Sequence, residues 1–118
     1  MNLGLVLDVL KRFCRLSDEM IMVGGGSRSR LWRQIFADIY NMKIVKTNIG
    51  EDAGSLGAAA LAAVGSGLWR DFNKINDIHK IQEVVKPVAA NSRKYDEIRP
   101  AYEDLHECMH TLGSKILK

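Results

Sequence analysis

The glycine run at residues 23–29, VGGGSRS, constrains the fold of this chain more than any other feature. It lies between a short apolar stretch, residues 20–23, and a stretch with helical periodicity, residues 31–40. Three consecutive glycines permit positive φ angles and leave no Cβ between the backbone and a ligand. A helix that opens after such a turn presents free N–H groups and its positive dipole end to an anion. The pattern predicts a nucleotide-binding turn, and an ordinary glycine-rich loop is the alternative.

Hydrophobic periodicity places this turn inside a βαβ unit. Apolar residues at helical spacing predict a helix over about residues 2–16, and the apolar run 20–23 predicts a strand covered on both faces. A serine after the glycines can cap the next helix, which Asn41 would end in a left-handed conformation. Residues 43–47 alternate and predict a second, parallel strand. In open parallel sheets ligands lie beyond the carboxyl ends of the strands, which is where the glycines stand.

A second glycine-containing run, residues 51–65, predicts a helix with mostly small side chains, which other elements can approach closely. Glu51 and Asp52 stand where acidic residues favour a helix start, and Gly65 or Gly67 stands where glycine ends one. Gly57 is costly inside a helix, so we expect it to mark a close backbone contact with the sheet or with the glycine turn. A small-residue core helix is the simpler interpretation of the same pattern.

The C-terminal part of the sequence is less specific. A polar helical stretch is predicted at 71–80 and an extended connector at 84–91. The last helix is predicted to start near Pro100. Its apolar residues recur in steps of four and three along one seam: Ile98, Tyr102, Leu105, Met109, Leu112 and Ile116. Together the patterns predict one predominantly helical α/β domain over residues 1–118.

Composition excludes several classes of protein. The 118 residues are 47% apolar and 26% charged with a net charge of +3, as in ordinary globular proteins. Basic residues lack the aromatic interleaving of a nucleic-acid platform, so no nucleic-acid partner is expected. The apolar runs are too short to cross a bilayer, and no membrane partner is expected. Cys14 and Cys108 have no metal-type spacing and are predicted to lie on apolar helix faces, which fits a reducing, cytoplasmic setting.

Two segments together resemble a known family. They are VGGGSRSRLWRQI at 23–35 with ADI at 37–39, and LGAA at 56–59 ahead of a second glycine-ended helix. This combination is similar to the C-terminal half of the FGGY carbohydrate kinases, above all the xylulose kinases, and extends over about residues 3–112. Asp52 stands where glutamate is common, and Gly54 where a bulkier residue often stands. The resemblance implies a ribonuclease H-like half-domain of the actin-like ATPase fold.

The resemblance also implies a function, transfer of the γ-phosphoryl group of ATP to a sugar hydroxyl. Gly24 and Gly25 would face the phosphates and adenosine, Gly26 would keep the turn open, Ser27 would belong to the same site, and Ser29 would reach towards the adenine. The aspartate that activates the sugar, the phosphate hairpin and the Mg²⁺ site lie upstream of the matched segment in that family. No catalytic or metal-binding residue is therefore assigned, and this chain alone is expected to be inactive.

Competing nucleotide motifs fit less well. A Walker-type loop needs a lysine after its glycines and is excluded. The dinucleotide fingerprint GxGxxG is met at Gly24 and Gly26 but fails at Ser29, and a dinucleotide-binding module remains the alternative.

Two further alternatives concern the C-terminal helix. His106 and His110 form an HExxH match, but the third ligand of the longer zinc pattern would fall at Ile116, so an amphipathic helix is favoured. A non-catalytic fragment that oligomerises is also open, because a missing partner domain leaves an apolar patch that a homodimer can cover.

Overall fold

A computed structural model describes residues 2–116, with side chains from residue 4 onward. The elements follow in the order α1 (Asn2–Phe13), β1 (Glu19–Ile21), α2 (Arg30–Tyr40), β2 (Lys43–Thr47), α3 (Ala53–Gly65), α4 (Lys74–Ile78), β3 (Ile81–Val85) and α5 (Ala89–Ile116). Short 3₁₀ turns at Gly25–Arg28 and Gly50–Asp52 precede α2 and α3. The predominantly helical α/β class predicted from the sequence is confirmed.

The sheet has the strand order β1-β2-β3, with β2 in the centre. Strands β1 and β2 are parallel, with Met20 opposite Ile44, which confirms the predicted βαβ unit. Strand β3 is antiparallel to β2, with Val84 opposite Val45. The sequence prediction missed β3 and wrongly assigned an extended connector to 84–91. Only Val85 of β3 is buried, so the strand lacks the regular apolar alternation that would have revealed it.

Strand β1 differs from its prediction in length and in burial. It comprises three residues and lies at the edge of the sheet, where the Ile21 side chain is 51% exposed. The expected strand with both faces covered is therefore wrong for this structure. Helix α1 ends at Phe13 rather than Leu16, because the chain then turns to enter β1.

The apolar core is small and lies between α2, the sheet and α1. Its buried members are Leu7, Ala37, Tyr40, Met42, Ile44 and Val85. The rings of Phe36 and Tyr40 pack with their centroids 5.4 Å apart. Burial raises the pKa of the Tyr40 hydroxyl, because the phenolate would lose its hydration there. The core thus fixes α2, the helix that follows the glycine turn.

The start of α5 is fixed by the buried carboxylate of Asp38. Its Oδ1 accepts hydrogen bonds from the Val88 amide at 2.7 Å and Gln34 Nε2 at 2.8 Å, and its Oδ2 accepts one from Asn91 Nδ2 at 2.9 Å. Because Asp38 holds the residues at its N-terminal end, α5 begins at Ala89, and the predicted start near Pro100 is wrong. Pro100 lies inside the helix.

Several apolar and small residues expected in contacts are exposed instead. A Cβ added at Gly57 would meet no atom of the described residues within 4 Å, so the predicted close contact is wrong here. Cys14 and Cys108 are exposed rather than covered on apolar faces. The seam of α5 is likewise exposed at Ile98, Leu105, Met109, Leu112 and Ile116. Between residues 2 and 116, no helix combines the length and apolar character needed to cross a bilayer.

Candidate functional site

The glycine turn connects β1 to α2 at the carboxyl end of the parallel strands. Gly24 adopts φ 82° and ψ −176°, a region that is essentially restricted to glycine. Its amide donates a hydrogen bond to the Gly50 carbonyl at 3.0 Å, so the turn after β1 meets the turn after β2. Gly50 also has positive φ, at 42°. Where the two turns touch, glycine is therefore required at Gly24 and favoured at Gly50.

The outer side of the turn presents two backbone amides. Within the 3₁₀ turn the Ser27 amide donates to the Gly24 carbonyl at 3.0 Å, and the Ser29 amide to the Gly26 carbonyl at 3.3 Å. The amides of Gly25 and Gly26 donate to no group within the described residues, and both glycines are exposed. Free amides at the start of a helical turn are suited to an anionic group such as phosphate.

The two serines of the predicted site have different environments. Ser27 is 1% exposed, and its hydroxyl donates to the Gly24 carbonyl at 2.7 Å. Ser29 caps α2, as predicted, because its Oγ accepts a hydrogen bond from the Trp32 amide at 3.3 Å. Ser27 therefore supports the turn from inside, whereas the half-buried Ser29 keeps a hydroxyl proton that can be donated.

Charged side chains link the turn to its neighbours. Arg28 forms an ion pair with Glu51 in the turn after β2. Arg33, in the first turns of α2, donates from Nη1 to the Ser27 carbonyl and from Nη2 to Glu83 Oε2 at 2.6 Å. The site thus rests on a buried guanidinium. Sequence patterns did not assign these roles.

One pattern could have revealed Arg33. It precedes the buried residues Ala37 and Tyr40 by four and seven positions, so it belongs to the core-facing stripe of α2. A charged residue in such a stripe needs a partner of opposite charge. The partner, Glu83, was hidden because β3 itself was not predicted.

A shallow cavity of about 220 Å³ adjoins the turn on the side of β2. Its walls include Ser27, Arg28, Thr47 and Glu51. The Thr47 hydroxyl is buried there and has no hydrogen-bond partner in the part of the chain that the structure describes. A larger cavity, of about 690 Å³, lies among Lys11, Arg15, Lys43 and Lys86 at the amino ends of the parallel strands, so it is not part of this site.

The HExxH residues lie near the C-terminal end of the last helix. His106 and His110 lie on the exposed C-terminal part of α5. Over residues 2–116, no three histidine, cysteine, aspartate or glutamate side chains come together as metal ligands. The histidines therefore belong to a solvent-exposed helix, and no residue described here is assigned to Mg²⁺.

A protein-family model decides between the nucleotide-binding alternatives. The model of the C-terminal domain of the FGGY family of carbohydrate kinases matches residues 6–66. The chain belongs to this family. The match covers the glycine turn and continues through α3, so the FGGY family is favoured over a dinucleotide-binding module.

Individual FGGY relatives extend the similarity. The chain is 30% identical over 112 residues to a xylulose kinase of Staphylococcus epidermidis, covering 94% of this chain and 22% of that protein. It is 35% identical over 89 residues to the uncharacterized sugar kinase YgcE of Escherichia coli, covering 74% and 18%. The chain thus spans about a fifth of the length of these relatives.

A solved FGGY structure shows the same fold. The ligand-bound xylulose kinase from Lactobacillus acidophilus superposes with a TM-score of 0.70 at 25% identity, covering 81% of this chain and 19% of that one. The fold expected from the resemblance, part of the actin-like ATPase architecture, is therefore confirmed.

Proposed function

We propose that this chain is the ATP-binding portion of a carbohydrate kinase that transfers the γ-phosphoryl group of ATP to a sugar hydroxyl. The observation that carries the proposal is the pair of free, exposed amides at Gly25 and Gly26. They lie at the carboxyl end of a parallel strand pair, the usual ligand-binding edge of such sheets. Membership of the FGGY family supports a nucleotide as the ligand.

Each residue of the turn has a separate role in this proposal. Gly24 supplies the backbone conformation that brings the turn against Gly50. Gly25 and Gly26 donate their amides to phosphate oxygens, while Ser29 directs its hydroxyl towards the adenosine side. Ser27 keeps the turn closed through its bond to the Gly24 carbonyl, so it contributes to the site without contacting the nucleotide.

Turnover needs parts that we assign to no residue of this chain. Phosphoryl transfer depends on an in-line hydroxyl and on Mg²⁺ that offsets the developing negative charge. We propose that the equivalent of the other four-fifths of the FGGY relatives supplies both, and that this chain alone is inactive. A sugar similar to xylulose is the proposed acceptor, because a protein named xylulose kinase matches over 94% of the chain.

Self-association and a cytoplasmic setting complete the proposal. Leu105, Met109 and Leu112 are exposed on α5, and a second copy can cover them. Cys14 and Cys108 are free thiols, which suits a reducing compartment.

A nucleotide titration followed by amide NMR tests the proposal. Mg²⁺–ATP is added to the ¹⁵N-labelled chain, and saturable shifts are expected at Gly24, Gly25, Gly26 and Ser29. Gly113, in the last part of α5, provides an internal control that should not shift. ADP should give a similar pattern, because it retains phosphates for the two free amides.

The same experiment separates the alternatives. Saturation by NAD and not by ATP would support the dinucleotide-binding module instead. If neither nucleotide gives saturable shifts while the chain self-associates, the chain is a non-catalytic oligomerising fragment, and the ATP-binding proposal is wrong.

A further inference from the structure

The Arg33 side chain is buried and contacts the glycine turn at the Ser27 carbonyl. Its side chain is 3% exposed, although arginine is rarely buried without a partner. Arg33 stands near the start of α2, and helical side chains point back towards the N-terminus of their helix. The guanidinium therefore reaches the turn that precedes the helix, where Nη1 donates to the carbonyl of Ser27.

The same guanidinium also binds the third strand. Nη2 donates to Glu83 Oε2 at 2.6 Å, so one planar group connects the glycine turn to β3. An arginine keeps its charge in proteins, and Glu83 is the counter-charge that makes its burial tolerable. Lysine could not replace it equally, because an ammonium lacks the fixed fork that reaches two acceptors at once.

Two hydrogen bonds therefore hold the inner side of the turn. The Ser27 hydroxyl binds the Gly24 carbonyl, and Arg33 binds the Ser27 carbonyl. With both carbonyls held inward, the amides of Gly25 and Gly26 remain on the exposed side. We propose that Arg33 is a positioning residue that holds the turn in the shape in which these two amides meet a nucleotide phosphate. The inference rests on the proposed function.

The chain contains a matched control for this residue. Arg30 lies on the same helix, carries the same charge and pairs with the same carboxylate, with its Nε 3.7 Å from Glu83 Oε1. However, its side chain is 86% exposed, and it is Arg33, not Arg30, that donates to the Ser27 carbonyl, so Arg30 shares the ion pair without holding the turn. Arg33→Lys and Arg30→Lys therefore make the same chemical change with and without loss of the turn contact.

The test compares ATP affinity and amide hydrogen exchange in the 118-residue chain. For Arg33→Lys we expect ATP binding about tenfold weaker or more, since a charge-assisted hydrogen bond to the turn is lost. Exchange of the Ser27 and Ser29 amides should accelerate, while the amides of β2 stay protected. Arg30→Lys should match the unsubstituted chain in both measurements.

Glu83→Gln separates positioning from a general loss of stability. It leaves the buried charge of Arg33 uncompensated but keeps the bond from Arg33 to the Ser27 carbonyl. We expect Glu83→Gln to lower the denaturation midpoint while ATP affinity, measured where the variant is folded, changes less than about threefold. If ATP affinity in both variants falls in proportion to stability, the positioning role is refuted.

A charge-neutral variant is available should Arg33→Lys fail to fold. Arg33→Gln combined with Glu83→Gln removes the buried charge of Arg33 and its counter-charge together, and it should show the same loss of ATP affinity and of exchange protection at Ser27. Unchanged affinity in a folded double variant overturns the inference. If the unsubstituted chain itself binds no ATP, the proposed function fails first, which distinguishes that result from a failure of Arg33 alone.

Discussion

Gly24 shows how one residue shapes the candidate site. Its φ of 82° with ψ near 180° is open to glycine but strained for any residue with a Cβ. We expect Gly24→Ala to lower the free energy of unfolding by about 1–3 kcal/mol, and to weaken ATP binding because the turn must change shape. Urea denaturation and the ATP titration measure the two effects.

Gly57→Ala is the control for this substitution. Gly57 lies within α3, and an added Cβ would meet no described atom within 4 Å. The same chemical change should therefore raise stability by up to about 1 kcal/mol, since alanine favours a helix over glycine. A Gly24→Ala variant as stable as the unsubstituted chain would show that the turn does not need a positive φ.

Tyr40 gives a prediction about alkaline pH. Burial raises the pKa of its hydroxyl in the folded state above the value of about 10 in unfolded chains. The unfolded state therefore releases this proton first, and the contribution of Tyr40 to stability is constant below pH 10 and declines above it. We expect Tyr40→Phe to lose less stability than the unsubstituted chain between pH 9 and pH 11. Urea denaturation at both pH values measures this, and an equal loss in the two proteins would contradict it.

Local features of residues could be predicted from the sequence, and distant partners could not. The Ser29 cap and the left-handed Asn41, at φ 48°, depend on their immediate neighbours, so their residue types indicated them. Arg33 and Asp38 depend on Glu83 and Val88, each 50 residues away. No periodicity within α2 contains that information.

At the scale of elements, the same division holds. Strand β2 has the predicted bounds, and its apolar centre, Ile44 and Val45, is buried. Strand β3 pairs with β2 although four of its five residues lie outside the buried core, so its sequence resembles a connector. Helix α5 starts eleven residues before Pro100, because the Asp38 carboxylate on α2 accepts a hydrogen bond from the Val88 amide, directly before the helix. The bounds of β3 and α5 therefore depend on strand pairing with β2 and on the hydrogen bond to Asp38, which lie far away in the sequence.

The anchor of α5 leads to a prediction for Asp38. In Asp38→Ala the Val88 amide and the Asn91 side chain, whose hydrogen bonds to Asp38 are part-buried, lose their acceptor, and each donor left unpaired costs up to about 1–3 kcal/mol. We expect unfolding to require at least about 2 kcal/mol less free energy, with faster amide exchange in the first turn of α5. Asp104→Ala, at an exposed position of α5, is the control and should be nearly neutral. Unchanged exchange at Ser92 in Asp38→Ala would contradict the anchoring role.

At the scale of the whole molecule, the chain leaves more surface exposed than its size requires. Its accessible surface is 8781 Å², whereas a folded monomer of this mass exposes about 6,400 Å². Its radius of gyration is 18.3 Å, against about 13.5 Å for a compact domain of 118 residues. The excess, about 2,400 Å², is roughly three times the area of about 800 Å² that one partner buries in a standard-size interface. Five of the exposed large apolar side chains lie on α5, which supports a partner surface there.

The exposed seam of α5 therefore predicts self-association of the isolated chain. We expect sedimentation equilibrium to show a concentration-dependent dimer, because a second copy removes Leu105 and Leu112 from water. Replacing both by glutamine should raise the dissociation constant at least about tenfold, since each buried leucine contributes about 1.5–3 kcal/mol. Glu107→Gln with Thr111→Gln, on the same helix, is the matched control and should leave dimerisation unchanged. Equal dissociation constants in the two double variants would place the interface elsewhere. A chain that stays monomeric would instead assign the excess surface to contacts with the other parts that the proposed kinase needs.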